Sequence, residues 1–161
     1  MPKRKLLSLV VLLATMTLCG PAAIAAGGGG GDSVPAAPED PNYAAGRQAV
    51  EAKNWQVALD AFSKVVAKDP RDANAHNYLG YTYRRSGNLD QAFKHYEEAL
   101  RLDPRHRGAH EYAGEAYLMT GNLAKAEEHL KALDSICIFS CEEYRDLKKA
   151  VAEYKQKNAS K

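Results

Sequence analysis

Three cysteines and five histidines are the side chains of this chain best suited to thiol, redox or metal chemistry. Cys19 lies in an N-terminal stretch read below as a cleaved export signal, which leaves Cys137 and Cys141, four residues apart in Cys-Ile-Phe-Ser-Cys. Two thiols this close form a disulfide in an oxidising compartment when the segment between them is not helical. So short a loop puts the stabilisation at the low end of the usual range of about 2–4 kcal/mol. A second chemistry stays open. Cys141 is expected in the first turn of a following helix, where the dipole favours a thiolate. An exchangeable thiol pair, or a soft-metal site for Cu(I), would follow from that position. Against it, the spacing is not Cys-x-x-Cys and no strand pattern surrounds it. The histidines are His76, His95, His106, His110 and His129; His76 and His110 stand 34 residues apart, one position repeated, which suits packing better than ligation. There is no His-Glu-x-x-His helix and no nucleophile elbow. Tyr78, Tyr81, Tyr112 and Tyr117 read as core and groove lining rather than catalytic acids. No enzyme is read from the sequence, and no cofactor or metal is implied.

The elements that carry these residues follow from a period. Shifting the stretch Ala73 to His106 by 34 residues lands on a copy in either direction. Gly80, Tyr83, Gly87, Asn88, Leu89, Ala92 and Tyr96 become Gly114, Tyr117, Gly121, Asn122, Leu123, Ala126 and Leu130 going forward. Going backward, Gly46, Asn54, Trp55, Ala58, Phe62 and Pro70 match Gly80, Asn88, Leu89, Ala92, Tyr96 and Pro104. A Leu-Gly-x-x-Tyr, then Ala-x-x-x-aromatic, then Pro, at a period of 34, resembles the tetratricopeptide repeat family. The resemblance covers roughly residues 39–134 and implies an all-α fold. It implies a right-handed solenoid of three helix-turn-helix repeats, about 39–72, 73–106 and 107–134, followed by a C-terminal capping helix within 135–157 and a tail over 158–161.

In repeat one, helices are expected over Tyr43–Lys53 and Gln56–Lys68. Asp40 and Pro41 open the first as N-cap and first-turn proline. The tight turns Lys53-Asn54, Gly87-Asn88 and Gly121-Asn122 call for left-handed backbone, which Gly and Asn tolerate. Asp69-Pro70 and Asp103-Pro104 stop the second helices. Gly46, Gly80 and Gly114 are expected to face Ala58, Ala92 and Ala126, so that the paired helices approach closely. After Asp134 the pattern changes. Ser140 and Glu143 form a capping box for a helix starting at Cys141, and Tyr144, Leu147, Val151 and Tyr154 make its apolar stripe. Lys155 to Lys161 reads as a fraying end.

Residues 1–25 read as a signal peptide: Lys3-Arg4-Lys5, an apolar run from Leu6 to Leu18, then Ala23-Ile24-Ala25 as a cleavage site. That run is too short to span a bilayer comfortably. Leu18 before Cys19 is too large for a lipobox, so the chain is expected to be exported, periplasmic or alternatively secreted, and free of the membrane after cleavage. Residues 26–41, Gly-rich and then Pro-rich, read as a flexible linker. The formal charge of +2 includes Lys3, Arg4 and Lys5; without them 22 basic residues become 19 against 20 acidic, a net charge near −1. No basic stripe remains to argue for nucleic acid.

The family resemblance further implies that first helices line a concave groove, which assigns partner binding to Tyr43, Arg47, Asn77, Tyr81, Arg84, Arg85, Glu111 and Glu115. Glu111 and Glu115 stand where a carboxylate clamp would need basic residues, which argues against binding of that kind. A groove basic and aromatic in the middle and acidic at one end suits an extended peptide or a partner helix of mixed charge. The expected function is a non-enzymatic interaction scaffold. A thiol-redox or soft-metal accessory role through Cys137 and Cys141 is the alternative. The segment from Ile136 to Tyr154 also resembles the C-terminal part of exported bacterial tetratricopeptide proteins.

Overall fold

The computed structural model describes residues 40–159. The expected signal peptide, almost all of the linker and the last two residues of the tail lie outside them. Among the described residues there are seven α-helices and no strand: α1 (Pro41–Glu51), α2 (Trp55–Lys68), α3 (Ala73–Arg85), α4 (Leu89–Leu102), α5 (Arg107–Met119), α6 (Leu123–Ile136) and α7 (Glu142–Ala159). Each pairs with its neighbour in the chain, and α5 also packs on α3 and on α7. The result is the all-α repeat stack that the 34-residue period implies. No helix is long and apolar enough to cross a membrane among the described residues.

Six of the seven helices open on a side-chain cap. Asp40, Asn54, Asp72, Asn88, His106 and Asn122 each accept from a backbone N–H two or three residues on, a contact typically worth about 1 kcal/mol. This changes the role of the turn asparagines. Asn54, Asn88 and Asn122 have φ of −87°, −93° and −93°, so they are caps and not left-handed residues. The left-handed position is the one before: Lys53, Gly87 and Gly121, with φ of 56°, 88° and 80°. Gly takes that backbone freely, whereas Lys53 does so at a steric cost of about 1–2 kcal/mol. At the other end of each pair, Asp69 and Asp103 are extended C-caps. Their carboxylates accept from the N–H of Arg71 and Arg105, which locks the Asp-Pro turn.

The glycines have a different neighbour from the one expected. A Cβ at Gly46 would stand 2.6 Å from the Phe62 ring, and one at Gly80 2.5 Å from the Tyr96 ring. Each glycine therefore admits the aromatic of its own second helix, and Ala58 and Ala92 are buried alongside. Gly114 departs from this pattern. A Cβ there would meet Leu147 of α7 at 2.6 Å, while Leu130, in the aromatic's place, is only partly buried. The core falls into three clusters, one per repeat, and the third is closed by Leu147 and Val151 of α7.

α7 is more than a lid. Steps of 34 run from Leu79 through Ala113 to Leu147, and from Tyr83 through Tyr117 to Val151. Like α5 before it, α7 packs on the two preceding helices. It stands in register as the first helix of a fourth repeat, and no second helix follows it among the described residues. The turn before it follows the same register, with Cys137 at the extended C-cap position held by Asp69 and Asp103. The helix begins at Glu142, with the Cys141 carbonyl accepting from the Arg145 N–H. Ser140 is thus outside the cap, and the expected capping box gives way to a Glu143–Arg107 ion pair of 3.6 Å. The expected frayed end is helical through Ala159, held to α6 by Lys155 and Glu127.

Candidate functional site

The stack sets α1, α3, α5 and α7 in sequence, and the eight candidate residues repeat along them. Tyr43, Asn77 and Glu111 share one register position; Arg47, Tyr81 and Glu115 share the next turn. The centre of this face is an aromatic–arginine shelf. Trp55, Tyr81 and Tyr112 stand in series, with ring centroids 6.4 Å and 5.0 Å apart. Arg84 lies 5.4 Å over both Tyr81 and Tyr112 and pairs with Glu115 at 2.7 Å. Arg85 lies 5.4 Å over Trp55 and 5.8 Å over Tyr81. A guanidinium on a ring face gains roughly 0.5–1 kcal/mol at exposed sites and more when desolvated.

These contacts separate the residues into two groups. Arg84, whose side chain is 10% exposed, is committed to Glu115 and two rings. It is a brace, not the free cation the sequence suggests, and Glu115 is its counter-ion rather than a free acid. Tyr43 meets Phe62 and Tyr78 edge-on at 5.6 Å each, and Arg47 covers its ring. Asn77 and Glu111, each 8% exposed, are buried between helices and do not stand out as free surface. Arg85 and Tyr81 remain accessible at the centre. Trp55 completes the shelf and was not assigned to it from the sequence, while Tyr112, read there as core or groove lining, lies within it. The 34-residue register, continued into α7, gives Asp146 as the counterpart of Tyr112 and Tyr78.

The electrostatics of this face are uneven. Burial raises the Glu111 carboxyl to about 8, helped by Glu115, Asp146 and Glu143, while Arg84 pulls the other way. Burial likewise pushes the phenols of Tyr96 and Tyr112 up. Three buried polar atoms of the region have no hydrogen-bond partner: Asn77 Oδ1, Arg84 Nε and Tyr96 Oη.

The cysteines and histidines lie elsewhere. Cys137 and Cys141 are joined, with Cα atoms 5.7 Å apart, inside the range a disulfide spans. Between them Ile138 and Phe139 are both 89% exposed. The histidines show a repeat that pattern reading passed over: His95 and His129, like His76 and His110, are 34 apart. Nδ1 of His76 is 3.1 Å from Nδ1 of His95, and the His110–His129 distance is 2.9 Å. Nε2 of His76 and of His110 face the carbonyls of Pro70 and Pro104. Each first-helix ring therefore donates to a carbonyl and accepts from its partner, which makes two matched hydrogen-bonded pairs. His95 and His129 stack on Tyr83 and Tyr117, and burial lowers both rings to about 4. His106, four residues from His110, caps α5 through Nδ1. Among the described residues no three His, Cys, Asp or Glu side chains converge as metal ligands.

Comparison with known proteins bears on the repeat. The family model described as tetratricopeptide repeat matches residues 43–104 and again 79–138. The chain belongs to the tetratricopeptide repeat family. Solved tetratricopeptide folds align with most of it. The Yersinia enterocolitica type III secretion translocator chaperone SycD aligns at 20% identity over 73% of this chain and 83% of its own, with a TM-score of 0.66. PcrH, solved in complex with the chaperone binding region of PopD, gives 23% identity, 74% and 90% coverage, and a TM-score of 0.63. The P58(IPK) TPR domain gives 19% identity and a TM-score of 0.63 over 73% of this chain, which spans only 33% of that longer array. At these identities the likeness is one of tetratricopeptide fold. No curated protein sequence matches the chain.

Proposed function

We propose that this tetratricopeptide protein is a non-enzymatic scaffold, exported to the periplasm, that holds an extended peptide or partner helix along its first-helix face. The observation that carries the reading is the shelf of Trp55, Tyr81 and Tyr112 crossed by Arg84 and Arg85. Rigid aromatic faces with a guanidinium at the rim are the residue types that dominate binding energy at protein interfaces. Arg84 and Glu115 hold the shelf in shape, so little ordering remains to be done when a partner arrives. Arg85 is the exposed cation, suited to an acidic side chain or a backbone carbonyl of the partner. That PcrH was solved with a segment of PopD supports peptide binding as a use of such a stack. The export reading rests on the Lys-Arg-Lys, apolar run and Ala-Ile-Ala pattern of residues 3–25. Cys137 in the turn position of Asp69 and Asp103 favours a structural role for the cysteine pair over thiol or soft-metal chemistry.

The test is display of random 12-residue peptides on the signal-free chain, followed by affinity measurement with Arg85→Glu and Tyr81→Ala. Loss of binding of tenfold or more in both variants, with melting temperatures kept, is the expected result. Failure to select any peptide, or selected peptides indifferent to both changes, would remove the shelf as the binding site.

A further inference from the structure

The two histidine pairs are the one polar constellation that the 34-residue step copies whole. Pro70, His76, Tyr83 and His95 become Pro104, His110, Tyr117 and His129. One step back, Asn42, Ala49 and Ala61 stand where His76, Tyr83 and His95 would be, so these members are kept or lost together. Both rings of each pair are held from outside the pair. Nε2 of His76 is 3.2 Å from the Pro70 carbonyl, and Nε2 of His110 is 3.1 Å from that of Pro104. A carbonyl only accepts, so each of these rings carries its proton on Nε2 and turns the Nδ1 lone pair to its partner. His95 and His129 lie on Tyr83 and Tyr117, with ring planes 12° and 22° apart. A backbone carbonyl on the far nitrogen is the outer contact that metal-binding histidines characteristically make.

The second observation is the spacing. The facing Nδ1 atoms are 3.1 Å apart in one pair and 2.9 Å apart in the other. With metal–nitrogen bonds of about 2.0 Å, such separations subtend roughly 90–100° at a shared ion, whereas two ligands in line would need about 4 Å. An angle near 90° is that of neighbouring ligands in a square-planar or tetragonal centre, the geometry of divalent copper, and imidazole is a ligand that copper takes. The other ligand positions fall to water. Glu98, one turn after His95, and Glu128, beside His129, are held by Arg101 and Lys125 at 2.6 Å each. His106 has both nitrogens engaged, Nδ1 by the Ala109 N–H and Nε2 by Asn74 Oδ1. His76 is buried and the other three rings are half-buried, so each pair has an edge towards solvent.

We propose that each pair, His76 with His95 and His110 with His129, is a two-imidazole site for divalent copper, the ion taking the place of the proton that the two rings share. On loading, His95 and His129 release the Nδ1 proton and take one from solvent on Nε2. Each ring stays neutral, and each ion adds two positive charges. The sites use no residue of the aromatic shelf and stand whether or not the shelf holds a peptide.

The test uses the untagged chain without residues 1–25, its disulfide intact so that no thiol competes for the ion. Copper(II) is titrated by calorimetry at pH 7, and the loaded protein is examined by electron paramagnetic resonance with pulsed detection of imidazole nitrogens. His95→Gln and His129→Gln each keep an N–H donor for the facing ring while removing a ligand, so the helix pairing is retained. The unaltered chain is expected to bind two equivalents more than the double variant, and each single variant one equivalent more. Two imidazoles per copper are expected at these two sites. Equal stoichiometry in the unaltered chain and the folded double variant would overturn the proposal, as would one imidazole or none per copper in the unaltered chain. If circular dichroism shows the variants unfolded, the imidazole count on the unaltered chain decides by itself.

Discussion

Gly114 and Leu147 provide the sharpest test of how α7 is joined to the stack. Leu147 is fully buried, and its methyl carbons lie 2.6–2.7 Å from where a Cβ on Gly114 would be. Leu147→Ala removes three carbons, about 2.4 kcal/mol of transfer free energy at about 0.8 kcal/mol per methylene. A cavity adds to that, because the facing residue is a glycine with no side chain to relax into the hole. The loss should then sit in the middle of the usual range, about 3–4 kcal/mol. Gly114→Ala alone introduces a methyl into occupied space at a cost of about 1–3 kcal/mol, against about 1 kcal/mol gained in helix propensity. In the double variant the new methyl occupies space that Leu147 has vacated, so the penalties do not add. The double should be more stable than Leu147→Ala alone by about 1–2 kcal/mol, although Gly114→Ala by itself is neutral or harmful. Urea unfolding of the four proteins, with hydrogen exchange to locate the loss, measures the cycle. Strict additivity, or a Leu147→Ala protein with an unchanged midpoint, would refute the packing of α7 on Gly114.

Other outcomes follow from the same contacts. Reduction of Cys137–Cys141 should cost about 2 kcal/mol for a five-residue loop in the chain-entropy account; mass spectrometry of the chain without residues 1–25, purified without reductant, should find no free thiol until reductant is added. Cys137→Ser with Cys141→Ser should keep peptide binding, and its abolition would favour the thiol role. Glu111 is held near 8, above its ordinary 4.5; stability from this group is full below pH 4.5 and lost as pH rises through 8, a loss of about 1–2 kcal/mol once solvent screening is allowed for. Glu111→Gln should flatten that limb of the pH–stability curve, and an unchanged curve would place the titration elsewhere. Removing residues 141–161 strips Leu147 and Val151 from the third cluster and should lower the thermal midpoint by many degrees or unfold the domain, as circular dichroism would show.

The stack was legible because each repeat writes the same residues every 34 positions, and helix ends follow from local chemistry at Asp-Pro and Gly-Asn. What escaped was set by contacts between elements. Gly114 reads like Gly46 and Gly80, yet it admits a side chain from 33 residues downstream, which no local pattern announces. α7 looked unrelated because its turn replaces Asp-Pro with a cysteine pair, although Leu147 and Val151 keep the register. At the candidate site, Arg84 and Arg85 are adjacent and look alike in the sequence. One faces Glu115 and Tyr112, the other faces Trp55, and only the packed helices separate brace from free cation. Asn77 and Glu111 were placed on the groove by the family resemblance, but their burial depends on the packed neighbouring helices.

The unequal number of first and second helices among the described residues has a geometric consequence. Among the described residues there are four first helices and three second helices, so the side proposed to hold a partner carries one rung more than its back. The extra rung adds Asp146 and Glu153 to that side. Among the described residues, a partner segment that covers the shelf at α3 has α5 and α7 in one direction and α1 in the other.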